Sequence, residues 1–119
     1  MVVWHFKGTN DSTISYEGGP KFGNTTFILM SEPESDATWA VHNGCGATIS
    51  NTTVSAVIKG GLLSSAIHHQ FDGCPAAAPV EWYEVKGGAH GAAGELNGKP
   101  LFNAAVDFFI NVEHALPTT

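Results

Sequence analysis

The hydrophobic pattern changes period several times along the chain, and each change marks an element. Val2-Val3-Trp4-His5-Phe6 is a short, nearly continuous apolar run, the pattern of a strand buried on both faces of a parallel sheet. Lys7-Gly8 closes it. The next residues, Thr9-Asn10-Asp11-Ser12-Thr13, carry short polar side chains that bond their own backbone and favour turns, so Asp11 sits just past a strand end. Residues 14–20 read as an extended segment closed by Gly18-Gly19-Pro20, and residues 21–30 fit strand and helix equally.

Ser31-Glu32-Pro33-Glu34 is a helix start. Ser31 serves as cap, Glu34 completes a capping box, and Pro33 falls in the first turn, where amide donors lack intrahelical partners. The helix should run through Trp39 and end near Asn43-Gly44, with His42 compensating the dipole at its carboxyl end. Residues 49–71 change to period two around Gly60-Gly61, which predicts a small β-hairpin excursion. Val80, Trp82 and Val85 then mark a strand over 80–85 that ends at Gly87-Gly88 and delivers His90 to its tip. Residues 91–100 read as a loop. After them, Phe102, Ala105, Phe109, Val112 and Leu116 recur at spacings of three and four, predicting an amphipathic helix that buries this stripe and stops at Pro117.

Composition narrows the function classes. The 119 residues suffice for one domain with a core, and a net charge of −6 with only five Lys and Arg argues against a nucleic-acid surface. No apolar run is long enough to span a membrane, and residues 1–5 do not resemble the start of a signal peptide. Other features nonetheless suggest a secreted, extracellular protein. Asn10, Asn24 and Asn51 head N-x-Ser/Thr sequons, of which Asn24 and Asn51 are candidate glycosylation sites. Cys45 and Cys74 are either two buried free thiols or a disulfide closing a loop of about thirty residues; the sequons favour the bridge.

The chemistry gathers at the two strand tips. A glycine-flanked histidine at the carboxyl end of a strand is a candidate general base, and otherwise a solvated loop histidine; Asp11 is otherwise a turn aspartate. Taken together, Asp11 and His90 stand in the order of the last two members of a Ser, Asp, His triad. His68 and His69 point to opposite faces of a strand and make a poor metal pair, so no metal site is expected, nor any cofactor.

Several segments carry a resemblance. Residues 3–19, Val-Trp-His-Phe-Lys-Gly-Thr-Asn-Asp-Ser-Thr-Ile-Ser-Tyr-Glu-Gly-Gly, resemble the catalytic-acid segment of secreted feruloyl esterases and related polyhydroxybutyrate depolymerase-like esterases, with Asp11 matching the acid. Residues 39–45 and 71–75 resemble the family's cysteine-bearing insertion, residues 83–91 its histidine segment with His90, and Phe108-Phe109 falls in the final helix. Lys7 stands where many relatives carry a second histidine, and Gly91-Ala92-Ala93-Gly94 replaces a Thr-Trp-Pro-Gly-like continuation.

The resemblance implies an α/β fold in which residues 1–119 are the carboxyl-terminal part of an α/β-hydrolase domain: the last strands and helices of a mostly parallel sheet, with a disulfide-bracketed hairpin excursion. It implies a serine carboxylic ester hydrolase releasing hydroxycinnamic acids such as ferulate from plant cell-wall polysaccharide such as xylan. No serine here is flanked as Gly-x-Ser-x-Gly, so the nucleophile and oxyanion hole are expected upstream. A chain cut from such a sheet should expose an unpaired edge and an uncovered apolar face, and fold poorly alone. The alternative is a non-catalytic secreted carbohydrate-binding module using Trp39, Trp82 and Tyr83, although their places in helix and strand fit core packing better.

Overall fold

The computed structural model describes residues 2–12, 14–21, 24–89 and 94–115. Strand β1 (Val3–Gly8) is followed by a ribbon of β2 (Gly19–Lys21) and β3 (Asn24–Leu29), and then by helix α1 (Glu32–Asn43). A long hairpin of β4 (Ile49–Ile58) and β5 (Leu62–Phe71) leads to β6 (Val80–Val85). The short pair β7 (Glu95–Leu96) and β8 (Lys99–Pro100) precedes helix α2 (Leu101–Ala115). The main sheet has six strands in the order β1-β6-β5-β4-β7-β8, and β2 and β3 pair separately.

Local chemistry sets the ends of α1. Ser31 is extended and its Oγ accepts from the Glu34 amide at 3.3 Å, the expected cap, while the Glu34 carboxylate accepts from the Ser31 hydroxyl at 3.1 Å rather than from the Ser31 backbone amide that a full capping box would use. At the other end Gly44 adopts φ 79°, a left-handed conformation that glycine enters without steric cost, and its amide reaches Ala40 and Val41. Gly60 and Gly61, both at positive φ, turn the hairpin so that Ile58 faces Leu62.

The sheet carries two apolar faces because strand side chains alternate. Val3, Val80, Trp82 and Phe71 pack with Tyr16 and with Ala40 of α1 on one side, where Cys45 and Cys74 join them. On the other side lie Ala56, Ala66, Val85 and Leu96, flanked by Trp4, Phe6, Tyr83 and Leu101 of α2. Cys45 and Cys74 form the disulfide that the sequons favoured, fastening the carboxyl end of α1 to the end of β5.

The architecture corrects the expected fold class. The sheet is mixed and mostly antiparallel, with one parallel pair, β1 with β6, whereas β5 pairs antiparallel with both β4 and β6. It is not the parallel sheet of an α/β-hydrolase. The residues read as a hairpin excursion are ten-residue strands inside the main sheet, with β5 lying against the strand that leads to the histidine turn. The apolar run of β1 did reflect two covered faces, but coverage says nothing about the direction of neighbouring strands.

Helix α2 forms where periodicity predicted, with a different face inward. Phe102 is 77% exposed and Phe109 is also exposed, as are Val106 and Ile110, while Leu101 and Phe108 make the inward contacts, Phe108 at 6.1 Å from the Trp4 ring. Leu116 and Pro117 lie outside the described residues. The stretch read as a loop contains the β7–β8 pair, whose turn holds Asn97 at φ 52° and Gly98 at φ 79°.

Candidate functional site

The parallel pair carries both strand tips to one end of the sheet. Gly8 and Val85 are partners in register, so the segments after β1 and β6 leave side by side. They are fastened there: the Thr9 amide donates to Val85 O at 3.0 Å, the Asn10 amide to Gly88 O at 2.8 Å, and the Gly87 amide to Thr9 Oγ1 at 2.8 Å. Asp11 is buried at this tip, with its side chain 2% exposed. Lys7 Nζ donates to Oδ2 at 2.9 Å and the Ile14 amide to Oδ1 at 2.9 Å. His90 lies outside the described residues, one position beyond Ala89, the end of the segment that abuts the tip of β1.

A second polar group stands on the face of β1 that looks toward α1. His5 and Lys7 share this face, two residues apart. Glu32 and Asp36, four residues apart on α1, come up beneath them. His5 Nδ1 lies 2.8 Å from Glu32 Oε1 and 2.8 Å from Asp36 Oδ1. Neither approach has hydrogen-bond directionality, and both oxygens of the fully buried Asp36 lack a hydrogen-bond partner. The Asp36 carboxylate, and after it Glu32, hold the His5 imidazolium well above its ordinary range, to about 10, against burial acting the other way. Burial raises the Asp36 carboxyl to about 6.

A third network braces the same face. Trp82, 2% exposed, donates from Nε1 to Tyr16 Oη at 3.1 Å, and Tyr16 Oη donates to Glu84 Oε1 at 3.3 Å. The same carboxylate oxygen is 3.1 Å from His69 Nε2, and Lys86 Nζ reaches Oε2 at 3.0 Å. His69 stacks on Trp82 with ring centroids 4.5 Å apart, and His68 stacks likewise on Tyr83 across the sheet while approaching Glu81 at 2.6 Å. The two histidines thus serve opposite faces, as their adjacency requires. Burial raises the Tyr16 hydroxyl to about 12.

The other sequence-derived sites fall as follows. Asn51 is exposed on β4, and its Oδ1 lies 2.7 Å from His69 Nδ1. Asn24 lies on β3 with its side chain outside the described residues, and Asn10 is exposed beside the tip of β1. Trp82, offered by the sugar-binding alternative, is enclosed in the core, and Tyr83 is covered by His68. Among the described residues no helix is long and apolar enough to cross a membrane.

Sequence reasoning missed His5, Glu32 and Asp36 as a group. The one available signal was two carboxylates at i and i+4 on a helix start, which is common on solvated helix faces. Only the packing of α1 beneath β1 makes them a cluster. No protein-family model, curated protein or solved structure matches this chain.

Proposed function

We propose that the chain supplies the aspartate and the histidine, Asp11 and His90, of a serine carboxylic ester hydrolase of the feruloyl esterase kind, acting on feruloylated plant cell-wall polysaccharide. The supporting observation is the fastening of the β1 and β6 tips, whose backbones hydrogen-bond from Asn10 to Gly88, two residues before His90. One parallel strand pair suffices for this arrangement, since a triad is defined by geometry and roles rather than by the whole sheet.

In this reading Asp11, held by Lys7 and the Ile14 amide, fixes the tautomer and orientation of His90 and stabilises its imidazolium. His90 takes the proton of the attacking serine, returns it to the leaving alcohol, and then activates water against the acyl-enzyme. The serine comes from outside these 119 residues, because none here stands in a Gly-x-Ser-x-Gly turn. No metal or organic cofactor enters this chemistry.

The test begins with the chain itself. Ring-nitrogen NMR of His90 across a pH titration should show its pKa falling by about one unit or more when Asp11→Asn removes the carboxylate. In a polypeptide that also carries the serine, methyl ferulate hydrolysis should fall by roughly 10³- to 10⁴-fold in Asp11→Asn. A His90 titration indifferent to Asp11 would remove the basis of the pairing.

A further inference from the structure

The cluster beneath β1 has no part in the acid–base pair and calls for its own explanation. Among the described residues, His5, Glu32 and Asp36 are the one group of three histidine, cysteine or acidic side chains whose ligand atoms all lie within 4.8 Å of one another. Asp36 is 0% exposed and is aimed into the group, with Oδ1 2.8 Å from His5 Nδ1, yet neither of its oxygens has a hydrogen-bond partner. The facing His5 imidazolium supplies charge but no aligned hydrogen bond, and a buried ion pair without such bonds repays its desolvation poorly.

A proton on His5 Nδ1 answers this poorly. One N–H points in one direction, whereas two carboxylate oxygens stand equally close at 2.8 Å and neither lies along it. A cation placed among the three atoms accepts a lone pair from each and needs no such alignment. The two 2.8 Å distances from His5 Nδ1 fit ligands about 2.0–2.1 Å from a metal at the roughly 90° of octahedral coordination, rather than the wider spacing of a tetrahedral site.

We infer that His5 Nδ1, Glu32 Oε1 and Asp36 Oδ1 form a binding site for a divalent first-row transition ion such as Zn²⁺ or Mn²⁺. One imidazole and two carboxylates suit these ions better than Ca²⁺, which takes oxygen ligands, or Cu⁺, which takes sulfur. Three protein donors leave further coordination positions. A cavity of about 220 Å³ lined by Trp4, His5, Phe6 and Glu32 opens beside the cluster, giving water or a small anion access. Binding would tie β1 to α1, whose mutual contact otherwise includes this unsatisfied group, and would release any proton carried by His5.

The test uses the chelator-treated chain, titrated with ZnCl₂ and followed by calorimetry and histidine-ring NMR. One equivalent is expected to bind, with the His5 ring resonances shifting first and saturating at one equivalent, ahead of His68 and His69. Glu32→Gln, at the rim of the cluster, should weaken binding by at least about tenfold with an unchanged circular dichroism spectrum. Asp36→Asn should do the same if it folds; the ring NMR of the unaltered chain decides the question in either case. His5 resonances that stay fixed through one equivalent, or a Glu32→Gln chain that binds zinc as tightly as the parent, would overturn the assignment.

Discussion

Gly8 and Gly88 meet backbone to backbone at the tips of the parallel pair: a Cβ on Gly8 would stand 2.0 Å from the Gly88 carbonyl oxygen. That oxygen also accepts from the Asn10 amide, so it cannot retreat without breaking the link between the two strand tips. Gly8→Ala should therefore cost about 1–3 kcal/mol or more, measured by urea unfolding, since the clash is with backbone rather than a side chain that can rotate away. It should also disturb the environments of Asp11 and His90 in NMR spectra. A fully tolerated alanine would mean that the tips are not packed this closely.

The Tyr16–Trp82 hydrogen bond separates core aromatics from surface ones. Tyr16→Phe leaves the buried Trp82 N–H without its acceptor and should cost about 1–3 kcal/mol. Trp82→Ala should cost about 3–5 kcal/mol by opening a cavity. Phe102→Ala, at an exposed position, should change stability by less than about 0.5 kcal/mol, although the sequence pattern assigned Phe102 to the buried stripe.

Removal of the Cys45–Cys74 bridge by paired alanine substitution should lower stability by about 3–4 kcal/mol, because the loop it closes separates residues 29 apart in sequence. Chemical denaturation of the double variant against the parent in the absence of reductant measures this. The largest gain in amide exchange is expected at the carboxyl end of α1 and the end of β5, which the bridge joins.

Glu84 gives an acid-side prediction. Burial works to raise its carboxyl, but hydrogen bonds from Lys86 and His69 outweigh burial and leave it below its ordinary value. A carboxylate depressed in the folded state contributes stability that is complete above the unfolded value of about 4.3 and is lost as pH falls through the lower folded value. Glu84→Gln should therefore flatten the stability profile below about pH 4.5 relative to the parent. Thermal melts across pH 3–6 check it, and identical acid limbs would exclude the contribution.

Much of the local structure is legible in the residues. Ser31 and Glu34 announce the start of α1 and Gly44 its end, the paired glycines 60 and 61 turn the β4–β5 hairpin, and the apolar run of β1 reports cover on both faces. Each signal is local, set by backbone conformations, orphan amides or side-chain alternation within a few residues. The inward face of α2 was harder to read, because phenylalanines lie around much of the helix and periodicity cannot say which of them meets Trp4.

What the sequence determined by itself was the placement of β1, β4, β5 and β6, the ends of α1, a preference for the cysteine bridge and the order in which Asp11 and His90 follow β1 and β6. Tertiary structure decided the rest. Strand direction and neighbour depend on contacts far apart in sequence, so the insertion of β5 beside β6, which makes the sheet mixed, has no local signature. The same holds for His5, Glu32 and Asp36: a strand residue and two helix residues become one cluster only when α1 packs beneath β1, and no spacing along the chain encodes that approach.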